Sequence, residues 1–283
     1  MARAFQIAVI GWLSVCLAGC TPPAKDKPWE KVKIGDIAPL QSGLPKGMPG
    51  QPLKTINFDA HIFEMPAENI GKLKDIRQTL YTTSLRFSNY DAFKNNLFSV
   101  RYGQTGTWNK TLDLLRAAGG QKMVKVSLLL PDGQPSDLAV TGLDRQQAIS
   151  YVSSDLSRET APIGPGVIAL RIKAEKIPDA RGACDAVAYP VFLPPIRTPV
   201  PQLAQRARLR EFSFGCAGFG AKMSPGDFVI LGPEKYLSDQ TALGGLFFSN
   251  PQGGMFFSET ERKPPQRKPS VRIFLLVCTA INY

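Results

Sequence analysis

Beyond Pro131-Asp132-Gly133 the chain stops repeating at helical spacing, and short apolar stretches recur between Gly- and Pro-rich turns. Gln146 to Ser153, Val167 to Ile172, Ala186 to Phe192, Glu211 to Phe214, Phe228 to Leu231, Leu246 to Ser249, Met255 to Phe257 and Val271 to Ala280 all read as strands. That spacing is the pattern of a β-sandwich or a barrel. The continuous apolar runs Phe228 to Leu231 and Val271 to Ala280 imply burial on both faces, so these two are expected to form the core of this half. Gly245-Leu246-Phe247-Phe248-Ser249 and Gly254-Met255-Phe256-Phe257-Ser258 echo each other, which suggests a hairpin across Asn250 to Gly253. Only Gln202 to Arg210 reads as a helix here.

The preceding stretch is patterned differently. Ile56, Phe58, Ala60 and Ile62 alternate with polar residues as in a half-buried strand. After Pro66, Ile70, Leu73, Ile76 and Leu80 fall at helical spacing, with Pro and Glu68 at the first turn. A brief strand at Leu85 to Phe87 follows, then a helix capped by Asn89 or Asp91, and a strand from Phe98 to Tyr102. Thr107 to Ala118 presents Trp108, Leu112 and Leu115 on one helical face and stops at Gly119-Gly120. Met123 to Leu130 is a further apolar strand. The fold class expected is therefore α+β: a small N-terminal domain of alternating strands and helices, residues 55–135, followed by a β-rich, sandwich-like or barrel-like domain, residues 136–283.

Residues 1–54 have a separate logic. Arg3 precedes an apolar run from Ala4 to Leu17, shorter than the ~20 residues that span a bilayer, and small residues then lead to Cys20. These are the zones of a secretory signal peptide, residues 1–19. Leu17-Ala18-Gly19-Cys20 resembles the lipobox of bacterial lipoproteins. The resemblance implies that Cys20 becomes the mature N-terminus and is acylated on sulfur, with palmitate-type chains anchoring the protein in a membrane. Thr21, where an Asp would signal inner-membrane retention in enteric bacteria, favours the outer membrane, facing the periplasm. Residues 20–54 are rich in Pro, Gly and Lys and read as a tether, with Trp29 to Ile34 as an alternative edge strand.

Charge and cysteine usage fit an envelope protein. The formal net charge is +11, with 34 Lys and Arg against 23 Asp and Glu. Such an excess attracts anionic neighbours. At a membrane surface these are lipid headgroups, lipopolysaccharide, acidic wall polymers or other envelope proteins, rather than nucleic acid. Arg262, Lys263, Arg267 and Lys268 form a basic, proline-stiffened loop that could grip phosphate or carboxylate. Besides Cys20 the mature chain has Cys184, Cys216 and Cys278. Export permits a Cys184–Cys216 disulfide, leaving Cys278 as a small buried residue.

Catalytic patterns are sparse. His61 is the only histidine and sits in an alternating strand, so two-histidine zinc motifs are excluded and any Ser-His-Asp or Cys-His arrangement would depend on it. Glu64 and Glu68 are the nearest candidates for an acid/base pair. Gly215 to Gly220 is glycine-rich but reads as turn and bulge material, not as a phosphate loop. No cofactor, metal site or catalytic set is expected. The element order near the C-terminus distantly resembles bacterial secretins, but their Val-Pro-x-x-Gly-Asp-Ile-Pro segment is missing and no residue role carries over. The expected function is binding or assembly at the membrane surface; the alternative is a hydrolase acting on cell-wall polymers.

Overall fold

The computed structural model describes residues 54–178, 180, 182–195, 210–256 and 266–282. The signal, lipobox and tether, Cys20 among them, lie outside these residues, as do residues 202–209 of the expected helix. The described residues all fall in one compact unit, Pro52–Tyr283. Along the chain they run β1 (Thr55–Pro66), a 3-10 helix (Ala67–Lys72), α1 (Leu73–Gln78), β2 (Leu85–Phe87), α2 (Tyr90–Asn95), β3 (Phe98–Gly103), α3 (Trp108–Ala117) and β4 (Gln121–Pro131). Then come β5 (Pro135–Leu143), β6 (Gln147–Val152), β7 (Arg158–Ile163), β8 (Gly166–Lys176), β9 (Cys184–Leu193), β10 (Phe212–Ser213) and β11 (Phe219–Met223). β12 (Phe228–Pro233), α4 (Leu243–Phe248), β13 (Ser249–Phe256) and β14 (Gln266–Asn282) complete the order. The described residues are thus mostly β.

The strands pair antiparallel in two six-stranded sheets and a hairpin. The first sheet has the order β3-β12-β14-β1-β4, with β13 also on β14; the second has β2-β11-β9-β8-β5, with β10 on β9; β6 and β7 form the hairpin. The two sheets share one hydrophobic core. Phe58, Ala60, Leu130, Val229, Phe274 and Leu276 from the first meet Leu138, Leu170, Ile172, Ala188, Phe219 and Met223 from the second. Along β12 and β14 the alternate residues Phe228, Ile230, Val271, Ile273 and Leu275 point the other way. There they pack under Leu73 and Ile76 of α1 and Leu115 of α3. The apolar runs at β12 and β14 are therefore continuous because both faces of this sheet are covered, by the second sheet on one side and by helices on the other.

That pairing corrects the expected division at residue 135. β1 pairs with β14 over its whole length, from Thr55 opposite Asn282 to Pro66 opposite Ser270, and β12 pairs with β3 from Phe228 opposite Gly103. The strands read as two domains are interleaved in a single sheet, with β14 between β1 and β12. Periodicity within a segment carries no information about which distant segment completes its sheet.

Two further expectations change. Leu246 to Ser249 is not a strand: Leu243–Phe248 is a helix with all six residues buried. A Cβ on Gly244 would stand 2.3 Å from the Asn96 carbonyl oxygen and one on Gly245 2.0 Å from that of Asp239, so the glycines let this helix seat against neighbouring backbone. The echo hairpin is consequently absent, and β13 pairs with β14 instead. Gly215 to Gly220 is partly a turn, a 3-10 helix at Gly215–Ala217, but its end begins strand β11.

Candidate functional site

A cavity of functional size lies between the end of α2, the β6–β7 hairpin and the segment joining β12 to α4. Asn89 begins the construction, its side-chain oxygen accepting from the Asp91 and Ala92 amides to cap α2. The helix ends at Leu97, whose φ of 68° is a left-handed conformation of the type that closes helices. The Leu97 carbonyl then accepts from the Glu234 amide at 2.8 Å. Arg77 holds the same segment, donating to the Pro233 carbonyl at 2.6 Å and pairing with Glu234 at 3.3 Å.

Asn96 ties helix to hairpin. It is buried, its amide donates to the Ala92 and Val152 carbonyls, and its oxygen accepts from the Val152 amide. On the far side the Thr241 carbonyl accepts from the Ser150 amide at 2.7 Å, and the Asp239 carboxylate accepts from the Thr241 amide and hydroxyl. Those bonds hold the Asp239 carboxyl below the usual carboxylate range. Between these walls is a cleft of about 310 Å³ lined by Asn95, Leu97, Arg158, Lys235, Leu237 and Leu243, among others.

The charged groups of this cleft are net positive: Arg158 and Lys235 line it, with no ion pair to either found among the described residues, against the single carboxylate of Asp239, which accepts from Thr241. Beside it the Tyr151 hydroxyl donates to Glu159 at 2.5 Å. Burial and then this carboxylate push the Tyr151 phenol up to about 12, so it stays protonated at neutral pH. Two cations, the Asn95 amide and an apolar wall suit a small anion with an apolar portion, and the volume is at the lower end of that for ligand sites. The cleft's residues come from three separated segments, which is why none stands out in sequence. The signals are faint: the Asn95-Asn96 pair at a helix end, and the polar run Glu234 to Gln240 interrupting apolar stretches.

The residues expected to carry chemistry lie elsewhere and apart. His61 and Glu64 project from opposite faces of β1. His61 packs edge-on against Trp108 of α3, with ring centroids 5.4 Å apart. Burial holds its imidazole below the ordinary range, Lys122 and Lys125 add to that, and Asp59 opposes it. Glu64 is buried, accepting from Asn250 at 3.0 Å and from Ser270. Arg272 lies opposite it on β14 and donates to the Val140 carbonyl and the Thr141 hydroxyl. Glu68 instead pairs with Lys268 at 2.7 Å.

Of the expected anion-binding loop, Arg262 and Lys263 lie outside the described residues. Arg267 and Lys268 belong to β14, opposite Met255 and Gly254, and Lys268 is already bound to Glu68. The expected Cys184–Cys216 bridge is not formed: both thiols are free and buried. Cys216 lies 3.7 Å from the Asn96 amide nitrogen. Among the described residues, no group of three or more His, Cys, Asp or Glu gathers as metal ligands would, and no helix is long and apolar enough to cross a membrane.

This geometry defines a mostly β body with a basic surface cleft. No family model matches the sequence, and neither a curated protein nor a solved structure matches the chain.

Proposed function

We propose that this protein is a lipid-anchored envelope protein whose body, a β-sandwich with a helical layer, binds an anionic molecule at the membrane surface. The observation that carries the binding reading is the cleft at the end of α2, with Arg158 and Lys235 unpaired by carboxylates of the described residues. The lipobox-like Leu17-Ala18-Gly19-Cys20 and the net charge of +11 support the location and the sign of the partner. An outer membrane facing the periplasm would present carboxylate-bearing wall fragments and phosphate-bearing headgroups, and both match paired cations.

The test is a calorimetric titration of the full chain in detergent with a muropeptide carrying free carboxylates and, separately, with glycerol phosphate. Saturable binding of either is expected. Arg158→Ala and Lys235→Ala should each weaken it about tenfold, the size of one charge-assisted hydrogen bond. No binding of either probe, or binding indifferent to both substitutions, contradicts the reading. Mass analysis of the muropeptide after the titration addresses the alternative. Cleavage that disappears in His61→Ala or Glu64→Gln would favour a wall hydrolase over a binding protein.

A further inference from the structure

The two edges of the first sheet differ. At β3 the Tyr81 amide donates to the Tyr102 carbonyl at 2.8 Å and its carbonyl accepts from the Tyr102 amide at 2.9 Å, so that edge is covered where Tyr81 crosses it. At the other edge β4 runs for eleven residues and, among the described residues, pairs with β1 alone. A strand paired on one side turns alternate amides and carbonyls outward, a ready template for another strand. β4 also leaves large apolar side chains in solvent: Met123 is 59% exposed, Val124 44% and Leu129 63%. A bulge at Met123 interrupts the ladder near one end, but from Val124 to Pro131 the register with β1 is regular. The one charge in that stretch is Lys125, which pairs with Asp59 at 2.8 Å, while the Ser127 hydroxyl donates to the same carboxylate at 2.6 Å.

We propose that two copies of this chain pair through β4, antiparallel about a two-fold axis at Val126, so that the first sheets of both copies become one. The register follows from self-complementarity, because a two-fold axis sets each residue opposite its mirror position along the strand. With Val126 at the centre, Met123 of one copy meets Leu129 of the other, and Val124 meets Leu128. Every exposed apolar side chain of β4 then gains an apolar neighbour. The charges fit as well. Lys125 falls opposite the second copy's Ser127, beside the carboxylate of Asp59 that Ser127 already holds, so each ammonium lies near two carboxylates. The adjacent registers that keep the same faces together do worse. Centring on Lys125 sets the two lysines against each other, and centring on Ser127 sets Lys125 against Leu129 and Met123 against Pro131. The bulge at Met123 limits the regular ladder to Val124 through Leu128, with Met123 and Leu129 closing its ends. Because Tyr81 covers the β3 edge, assembly through this sheet stops at two. The pairing involves only β4 and its neighbour β1, and depends on neither the membrane anchor nor the anionic ligand.

The test is sedimentation of the full chain in density-matched detergent over a wide range of concentration, with hydrogen exchange followed in the peptide spanning Val124 to Leu130. A particle of two chains is expected, with exchange in that peptide slowing as the particle forms. Leu129→Lys and Met123→Lys should each raise the dissociation constant of the pair about a hundredfold, because the symmetry removes each buried side chain twice. Leu156→Lys, at another exposed apolar residue in the β6–β7 turn, should leave it unchanged. Both β4 side chains are exposed in the single chain, so circular dichroism should show the fold intact; should one variant fail to fold, the other decides. A single-chain particle at every concentration, a dimer indifferent to both β4 substitutions, or particles that grow beyond two chains overturns the proposal.

Discussion

Single residues set the tolerances on which the sheet depends. Gly103, at the end of β3, lies opposite Phe228, and an added Cβ would stand 2.3 Å from the ring's Cζ. Phe228 cannot retreat, because it is fully buried and packs edge-on against Trp108 at 5.1 Å. Gly103→Ala should therefore cost about 1–3 kcal/mol, the usual penalty of overpacking a rigid core, as measured by urea unfolding. His61 gives a pH signature that no other imidazole can obscure, being the only one in the chain. Its pKa is lowered on folding from an ordinary 6.5, so below that value the unfolded state takes up a proton that the folded state resists. Stability is full above about pH 6.5 and falls as pH drops through it toward the folded value. His61→Gln should flatten that part of the profile, as read from urea midpoints at stepped pH.

At the level of elements, the cleft depends on the hold that α2 has on the β6–β7 hairpin. Asn96 makes that connection with two hydrogen bonds, both to Val152. Asn96→Ala should cost about 1–3 kcal/mol, because the Val152 amide and carbonyl lose their partners. It should also speed hydrogen exchange at the Val152 amide relative to the β12 amides. Most elements are legible in sequence for reasons visible in particular residues. Phe228 to Leu231 and Val271 to Ala280 stand out as doubly buried strands, Leu73, Ile76 and Leu115 as helix faces, and Asn89 as a cap, because each signal is local. β5, β7 and β11 are not marked in this way. β7 is largely exposed and polar, and β11 begins inside a glycine-rich turn. Leu243–Phe248 is misleading because six buried apolar residues look alike as strand or helix. The cleft is illegible for a different reason: Arg158 and Lys235 carry meaning only through the fold that brings them together.

For the whole molecule, the consequence is indivisibility. β1 and β3 from the first stretch find their partners β14 and β12 in the last, so the first stretch cannot complete its sheet alone. A fragment of residues 55–135 should remain unfolded by circular dichroism and amide dispersion, whereas residues 55–283 should unfold in one cooperative transition. An isolated fragment with native-like dispersion would restore the two-domain reading.

The anchor is the premise from which the expected ligands follow. Its most direct test is the intact mass of the mature protein isolated from its own cells, with Cys20→Ser alongside. The account predicts a chain that begins at Cys20, carries fatty acyl chains and partitions with the membrane, and a Cys20→Ser variant that does neither. A protein recovered from the soluble cytosol with Met1 and Cys20 unmodified would contradict it.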